Sequence, residues 1–291
     1  MGDTIRLAAG DTAATIAAHG AEPVAWSVGG RDLLWQADAA WWDRTSPILF
    51  PIVGRARNGE IRVDGENYPI GVHGFAASSD FRLARRTDNS ATLILSDDEN
   101  SRKSFPFSFE LEVVYEVIEG SLSAAFTVRN PGAEPLPYAL GVHPGFRWPF
   151  SGAGREGYRV EFEKEEEPEV PVITRDGLFS ENKRAVPLDG RVLPLSDELL
   201  SREALCFLNA NSRLLRFVAP DGAAISMTVE DFPHFAIWSK RGAPFVSLEA
   251  WTGHGDPDGF DGDISEKPSM RLLAPGAEAR HAVRLGYDKA A

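Results

Sequence analysis

Residues 108–129, SFELEVVYEVIEGSLSAAFTVR, decide the fold. On both sides of Gly120, apolar residues alternate with polar ones, and β-branched and aromatic residues are frequent. Alternation with a period of two is typical of strands that bury one face. Residues 117–122 join the two halves and have the composition of a tight turn, so we expect a β-hairpin.

The same alternation recurs along the rest of the chain. It predicts further strands at residues 91–96, 158–162, 224–229 and 281–285, and a two-residue Asp64-Gly65 hairpin within residues 61–68. The 27 glycines and 20 prolines suit many turns, and the best helical candidate, residues 196–202, is brief. Since no linker or repeat divides the chain, we predict an all-β protein: a single domain, residues 1–291, of large antiparallel sheets packed as a sandwich.

Charge and composition exclude several classes of partner. The chain of 291 residues has a formal net charge of −13, which repels phosphate backbones, so we expect no nucleic acid partner. No apolar run approaches the roughly 20 residues that cross a bilayer, and the N-terminus does not resemble a signal peptide, so we expect no membrane association. Cys206 is the single cysteine and sits in an apolar run, which is compatible with a cytoplasmic protein.

Two short peptides repeat one pattern: VHGF at residues 72–75 and VHPGF at residues 142–146. Each places a histidine, His73 or His143, where an apolar run breaks into a glycine turn. Imidazole titrates near neutral pH, which suits it to proton transfer, and turns at strand ends expose reactive side chains on a rigid support. The alternative for either residue is a buried histidine that is satisfied by a backbone carbonyl.

Glu249 follows the apolar run PFVSL and is close to Trp251. A carboxyl group at the end of a buried strand either pairs with an arginine or has a pKa raised toward the working range of a base. The neighbouring tryptophan favours a sugar site, because aromatic faces stack on the C–H faces of pyranose rings. Further candidate platforms for a sugar ring are Phe75, Trp42, Trp148 and Trp238, each of which could instead pack in the core.

An apolar run also delivers Arg55 at a glycine turn, where its guanidinium could bind ligand oxygens, whereas we expect Arg57 to face solvent. Two imidazoles, a carboxylate and a guanidinium suit proton shuttling between oxygens. No phosphate loop, dinucleotide fingerprint or serine hydrolase elbow is present, so we expect no cofactor. A weaker alternative is that His73, His143 and Glu249 form a facial metal triad, but we predict no metal site.

Five motifs, in order, resemble those of the aldose 1-epimerase (galactose mutarotase) family, and most of all its bacterial branch of uncharacterised, lactose-operon-type members. The likeness runs from about residue 20 to residue 285 and implies the galactose mutarotase-like β-supersandwich. The motifs are FPIVGR at residues 50–55, VHGFA at 72–76, GVHPGF at 141–146, FPHFAIWS at 232–239 and SLEAW at 247–251.

The resemblance implies an isomerase that interconverts the α and β anomers of a free sugar without a cofactor. Glu249 matches the general base on the anomeric hydroxyl, and His143 matches the general acid that protonates the ring oxygen. His73 matches the histidine that hydrogen-bonds the sugar, and Arg55 matches the substrate-binding arginine. Glu203 could stand where relatives place a substrate-binding acid. The resemblance leaves a monomer and a homodimer equally open.

The chain departs from the family pattern after residue 76. Many relatives, including hexose-6-phosphate mutarotases, carry an arginine where this chain continues with Ala77-Ser78. We therefore expect that a guanidinium is missing from the site, which with the net charge of −13 favours a neutral hexose. Two alternatives stay open: a sugar-binding or regulatory protein without turnover, and an epimerase for phosphorylated sugars that uses Arg55 and Arg57 as an anion clamp.

Overall fold

A computed structural model describes residues 3–152 and 154–290, and most of its regular structure is β-strand. The helices are short: α1 is Asp197–Leu200, and 3₁₀ turns lie at Arg57–Gly59, Ala76–Ser78, Ser101–Lys103 and Ile264–Glu266. The strands are β1 Thr4–Ala9, β2 Thr12–Ala17, β3 Glu22–Val28, β4 Arg31–Asp32, β5 Ile48–Leu49, β6 Glu60–Val63, β7 Glu66–Pro69, β8 Arg82–Arg86, β9 Ser90–Ser96, β10 Glu110–Ile118, β11 Ser121–Arg129, β12 Leu136–Tyr138, β13 Gly141–Val142, β14 Gly145–Arg147, β15 Arg159–Phe162, β16 Glu169–Ile173, β17 Phe179–Ala185, β18 Val192–Pro194, β19 Leu205–Phe207, β20 Leu214–Val218, β21 Ala224–Glu230, β22 His234–Trp238, β23 Phe245–Trp251, β24 Arg271–Leu273 and β25 Glu278–Asp288.

Two antiparallel sheets contain most of these strands. The larger sheet has nine strands in the order β18-β15-β20-β21-β25-β11-β10-β9-β8. The second has the order β19-β22-β23-β13-β5, and β14 also pairs with β23. A four-stranded sheet, β1-β2-β3-β4, lies at the N-terminal end of the chain. The prediction of an all-β protein with large antiparallel sheets is confirmed.

Both hairpins expected from the sequence are formed. β10 and β11 turn at Glu119-Gly120, and β6 and β7 turn at Asp64-Gly65. Asp64 has φ 50° and Gly65 has φ 84°, and positive φ at both central residues is what a type I′ hairpin turn requires. Along β10, buried residues alternate with more exposed ones, as the period of two predicted.

Two elements differ from their predicted bounds by more than one residue at an end. β25 is an interior strand of the nine-stranded sheet, and hydrogen bonds to β11 and β21 on both sides extend it beyond residues 281–285. The predicted helix at 196–202 shortens to α1, which Ser196 caps by accepting a hydrogen bond from Leu199 N. No helix within the described residues has the length and apolar character needed to cross a membrane.

The second sheet packs against the same hydrophobic core as the nine-stranded sheet. One cluster of buried apolar side chains includes Phe126 and Met227 of the nine-stranded sheet and Phe235 and Leu248 of the second sheet. Every residue of β23 is buried, so a polar side chain on that strand is largely removed from water. Any titratable group on β23 is therefore subject to a strong desolvation effect.

Candidate active site

The pairing beside β23 is interrupted at His143-Pro144. β13 and β14 both pair with β23, but the regular pairing is interrupted at the two residues between them: Pro144 has no N–H to contribute, and only its carbonyl accepts from Leu248 N over 3.3 Å. The backbone N–H of His143 donates to Pro47 O instead. By the register on either side, Glu249 lies opposite this gap, so the break in pairing exposes the histidine to the carboxyl group.

Residues of β23 alternate between the core and this gap. Val246 and Leu248 belong to the main core cluster, and Ser247, Glu249 and Trp251 face the other way, as alternation along a strand dictates. Trp251 Nε1 donates a hydrogen bond to Glu249 Oε2 over 3.0 Å. These three side chains form one row on the site face of the strand.

Glu249 and His143 lie in contact: the imidazole Nε2 is 3.2 Å from the carboxyl Oε1. Burial raises the pKa of Glu249 to about 8, and the hydrogen bond from Trp251 opposes this rise only in part. Burial, reinforced by the neighbouring His73, holds the pKa of His143 well below its usual range. At neutral pH the pair therefore holds one proton, on a neutral carboxyl group facing a neutral imidazole.

Ser247 determines which nitrogen of His143 carries the ring proton. Ser247 Oγ lies 2.9 Å from Pro144 O and 2.8 Å from His143 Nδ1. The carbonyl can only accept, so the single hydroxyl proton goes to Pro144, and Ser247 accepts from Nδ1–H. The neutral ring consequently presents an unprotonated Nε2 to Glu249.

His73 has the opposite tautomer. Its backbone has φ 64°, and Gly74 follows at φ 76°, where an added Cβ would lie 2.3 Å from Phe50 O, so only glycine fits. Gly54 N donates to His73 Nδ1 over 3.1 Å, which leaves Nε2–H as the ring donor. Burial, followed by the charge of Arg55, lowers the pKa of His73 to about 4, so the ring is neutral.

These groups line one cavity of about 430 Å³, a size suited to a small-molecule ligand. Five of the six predicted site residues lie in its wall, namely Arg55, His73, His143, Glu249 and Trp251. Trp42 and Trp238, two of the candidate platforms for a sugar ring, also lie in the wall. Residues that line the cavity without having been singled out from the sequence include Arg44, Phe179 and Cys206.

Phe75, the sixth predicted site residue, is not brought to the cavity with the other five. Phe75 does not line the cavity, and its ring packs on Phe105 and Phe109, with centroids 6.4 and 5.8 Å away. The left-handed backbone at Gly74 turns the chain there, so His73 stays in the cavity wall while the next ring enters the core. Trp148, another candidate platform, is likewise buried outside the cavity.

The aromatic wall is instead built by Trp42 and Trp238. The ring of Trp42 is 4.8 Å from that of His143 and 5.5 Å from that of Trp238, and His143 meets Trp238 edge-on at 5.6 Å. Trp251 lines the cavity beside Glu249. The site thus combines aromatic faces with hydrogen-bonding groups, as sugar sites do.

From the sequence, we expected that no guanidinium lies in the site beside the segment after residue 76. The structure contradicts this expectation. Arg44 reaches that segment from another part of the chain: its Nη1 donates to Ala77 O over 2.7 Å and its Nη2 to Ser78 Oγ over 2.9 Å. Arg44 also lines the cavity. Nothing in the local sequence signals this contact, which depends on how distant segments pack.

Other candidates lie outside the cavity wall. Arg57 is half-buried rather than facing solvent, and its guanidinium lies 3.4 Å from Gly259 O and 3.3 Å from Phe260 O, which removes it from the proposed anion clamp. Glu203 forms an ion pair with Arg184. Among the described residues, no group of three or more histidine, cysteine or acidic side chains is arranged to hold a metal ion.

Comparisons with known proteins identify the family and the fold. The sequence model of the family described as Aldose 1-epimerase matches residues 3–286. Protein LacX of Lactococcus lactis subsp. lactis is 30% identical over 257 residues, 84% of this chain and 86% of that protein. A galactose mutarotase related enzyme from Lactobacillus acidophilus has a TM-score of 0.91 at 30% identity, covering 99% of this chain and 98% of its own. A galactose mutarotase-like protein from Lactobacillus casei has a TM-score of 0.92 at 28% identity, covering 98% of this chain and 100% of its own.

Proposed function

Because the chain belongs to the aldose 1-epimerase family, we propose that it interconverts the α and β anomers of an aldose by acid–base opening and reclosure of the sugar ring. The observation that carries the proposal is the contact between the buried side chains of Glu249 and His143, which lie 3.2 Å apart in the cavity wall. The raised pKa of Glu249 and the lowered pKa of His143 leave this pair with one transferable proton at neutral pH. One proton is what the reaction needs, since it is removed from one sugar oxygen and supplied to another.

The chemical steps use the two groups in turn. The proton of the resting pair first moves from Glu249 Oε1 to His143 Nε2 across their 3.2 Å contact. The Glu249 carboxylate then removes the proton of the anomeric hydroxyl while the imidazolium protonates the ring oxygen. The C1–O5 bond breaks and leaves an open-chain aldehyde. Rotation about C1–C2 presents the other face of the carbonyl, and reclosure with the proton transfers reversed yields the other anomer and restores the pair.

The remaining cavity residues orient the sugar and the side chain of Glu249. His73 is neutral and offers Nε2–H, so it can donate to a sugar oxygen that becomes more negative in the transition state without competing for the shared proton. Trp251 holds Glu249 by its hydrogen bond and presents a ring to the cavity. No step of this scheme calls for a cofactor.

The direct test is equilibrium exchange between anomers, followed by two-dimensional NMR with D-glucose and D-galactose and supported by polarimetry of fresh α-anomers. We expect the protein to accelerate exchange well above the spontaneous rate. Binding of the sugar without acceleration would support a sugar-binding protein instead, and neither binding nor acceleration with any aldose would contradict the proposal.

The pH dependence follows from the shared proton. We expect kcat/KM to be level through neutral pH and to fall about tenfold per pH unit above about 8, where burial places the pKa of Glu249. Above that pH the pair has lost its proton and no acid remains for the ring oxygen. The acid limb lies well below pH 6.5, because a second proton enters only at the lowered pKa of His143.

The profile is measured by exchange NMR from about pH 5 to about pH 10, with the hydroxide-catalysed background subtracted at each pH. A rate that rises from pH 7 to pH 9 would mean that Glu249 acts as a free carboxylate and that the proton is not shared.

Removing the Ser247 hydroxyl tests the tautomer of His143. We expect Ser247→Ala to lower kcat about tenfold with little change in KM, because the Nδ1–H loses its acceptor and the ring no longer presents a bare Nε2 reliably. The matched control is Ser121→Ala: Ser121 is equally buried, and its hydroxyl has no hydrogen-bond partner among the described residues. Equal kcat values for the wild type and Ser247→Ala would show that another contact sets the tautomer.

A further inference from the structure

Arg55 lines the cavity, but no protein group holds its guanidinium. Among the described residues, the guanidinium has no hydrogen-bond or ion-pair partner, so all of its N–H donors are available to a ligand. The side chain packs on Gly177, where an added Cβ would collide with Arg55 Cδ. The direction of the guanidinium therefore depends on the backbone at Arg55 and on the turn at Gly177.

The backbone around Arg55 is held by Asp256. The backbone N–H of Asp256 donates to Arg55 O over 2.9 Å, and the carboxylate Oδ2 of Asp256 accepts from Arg57 N over 2.8 Å. The preceding Gly255 packs so closely on Gly54 that an added Cβ at Gly54 would lie 2.7 Å from Gly255 Cα. Asp256 and its neighbour thus fix the backbone from which the Arg55 side chain extends.

Asp256 also holds the segment on which the Arg55 side chain packs. Asp256 O accepts from Phe179 N over 2.9 Å, and Phe179 O accepts from Asp258 N over 2.8 Å. Phe179 begins β17 and lines the cavity, and Gly177 lies two residues before it. One residue therefore connects the backbone of Arg55 with the turn that supports its side chain.

The carboxylate of Asp256 is fixed in turn by Lys267. Both side chains are buried, and Lys267 Nζ lies 2.9 Å from Asp256 Oδ1. Among the described residues, no other polar group serves this ammonium group. A buried ammonium group is costly unless a carboxylate pairs with it, so the ion pair holds Asp256 in one orientation, with its second oxygen on Arg57 N.

Neither Asp256 nor Lys267 lines the cavity, so this ion pair does not contact a ligand there. A buried ion pair is also a weak source of stability, since apolar side chains of similar volume often stabilise a core equally well. What distinguishes this pair is its place, because every hydrogen bond that Asp256 makes besides the ion pair leads to the segment of Arg55 or to Phe179.

We propose that Asp256 is a positioning residue that acts through Arg55: its ion pair with Lys267 fixes the direction in which the Arg55 guanidinium enters the cavity. The inference rests on the proposed function for its kinetic readout. A guanidinium that points elsewhere loses its bonds to the sugar before and during the reaction alike, and a loss of this kind raises KM and leaves kcat unchanged. Asp256 therefore contributes to sugar binding and not to proton transfer.

The experiment measures kcat and KM by exchange NMR for Asp256→Asn and for the double variant Asp256→Asn/Lys267→Met. The double variant leaves no unpaired ammonium group in the core and keeps an amide oxygen for Arg57 N, so it separates positioning from a failure to fold. We expect both variants to raise KM about tenfold with kcat changed less than about threefold. In the Arg55→Gln background the same changes should raise KM no further, because the group through which they act is gone.

The matched control is Asp97→Asn. One carboxylate oxygen of Asp97 accepts from Phe109 N over 3.0 Å and the other pairs with Arg102, as in Asp256, but Asp97 lies outside the cavity wall. We expect this control to lower the melting temperature and to leave KM unchanged, which is what a purely structural carboxylate does.

A wild-type KM in both Asp256 variants would overturn the inference while the proposed function stands. A rise in KM that is equally large in the Arg55→Gln background would do the same, since Asp256 would then act by another route. If the wild type turns over no sugar, the proposed function fails, and calorimetric dissociation constants for the same variants replace KM in the comparison. Binding of no sugar would overturn the inference as well.

Discussion

Glu249→Gln is expected to lower kcat for anomer exchange by about 10²–10⁴-fold, the usual contribution of one general acid–base group. The amide fits the site, because its oxygen can accept from Trp251 Nε1 and its NH₂ can face His143 Nε2. The variant therefore resembles the protonated wild-type carboxyl group, but it cannot give up or take a proton. Sugar binding should persist, and exchange NMR together with a binding titration separates the two effects.

The same substitution is expected to stabilise the protein at neutral pH. Burial raises the folded-state pKa of Glu249 to about 8 from its ordinary value of 4.5, so between these pH values the folded state retains a proton that the unfolded state has lost. The wild type thus loses stability as pH rises through this window, on the order of 3 kcal/mol by pH 7. The glutamine does not titrate, so the melting temperatures of the two proteins should converge near pH 4.5.

The matched control is Glu203→Gln, the same chemical change at an acid outside the cavity wall. It should leave kcat unchanged and should not raise the melting temperature at neutral pH, since it breaks the ion pair with Arg184. Wild-type kcat in Glu249→Gln would remove Glu249 from the mechanism. A loss of kcat without the pH-dependent stabilisation would instead contradict its desolvated, protonated state.

His143→Gln is expected to have the second large effect, again a loss in kcat of about 10²–10⁴-fold. The side chain keeps a polar group beside Glu249, but nothing remains to protonate the ring oxygen. His73→Gln is the matched comparison, because a neutral donor replaces a neutral donor, and we expect a loss of only about tenfold. Steady-state kinetics of the two variants, with KM measured alongside kcat, distinguish a loss of proton transfer from a loss of sugar binding.

His73 and His143 lie in similar sequence motifs. The kinetics of the two variants show which histidine transfers the proton and which one only hydrogen-bonds the sugar. A near-normal His143→Gln with an inactive His73→Gln would reverse their roles. Equal, moderate losses in both would mean that each merely hydrogen-bonds the sugar. The structure favours His143 as the residue that transfers the proton, because the ring nitrogen in contact with Glu249 belongs to His143.

Much of the fold followed from patterns that act over a few residues. Alternation along residues 108–129 predicted β10 and β11, and the Asp64-Gly65 step predicted the type I′ turn that the structure contains. The five ordered motifs predicted the family, which the comparisons confirm. They also predicted five residues that the structure brings into one cavity, although Phe75 turned into the core.

The sequence by itself determined that the chain is built of strands and turns and where several of them lie, because periodicity and turn chemistry are local properties. It also placed a carboxyl group beside a buried apolar run, although Glu249 lies within β23 and does not follow it. Only the tertiary structure decided which histidine touches Glu249, which tautomer each ring adopts, and that Arg44 enters the cavity. Those features depend on pairings between distant segments, such as β13 with β23 and Arg44 with residues 77–78. Desolvation, which places the Glu249 pKa near 8, is likewise a property of the assembled core and not of any single strand.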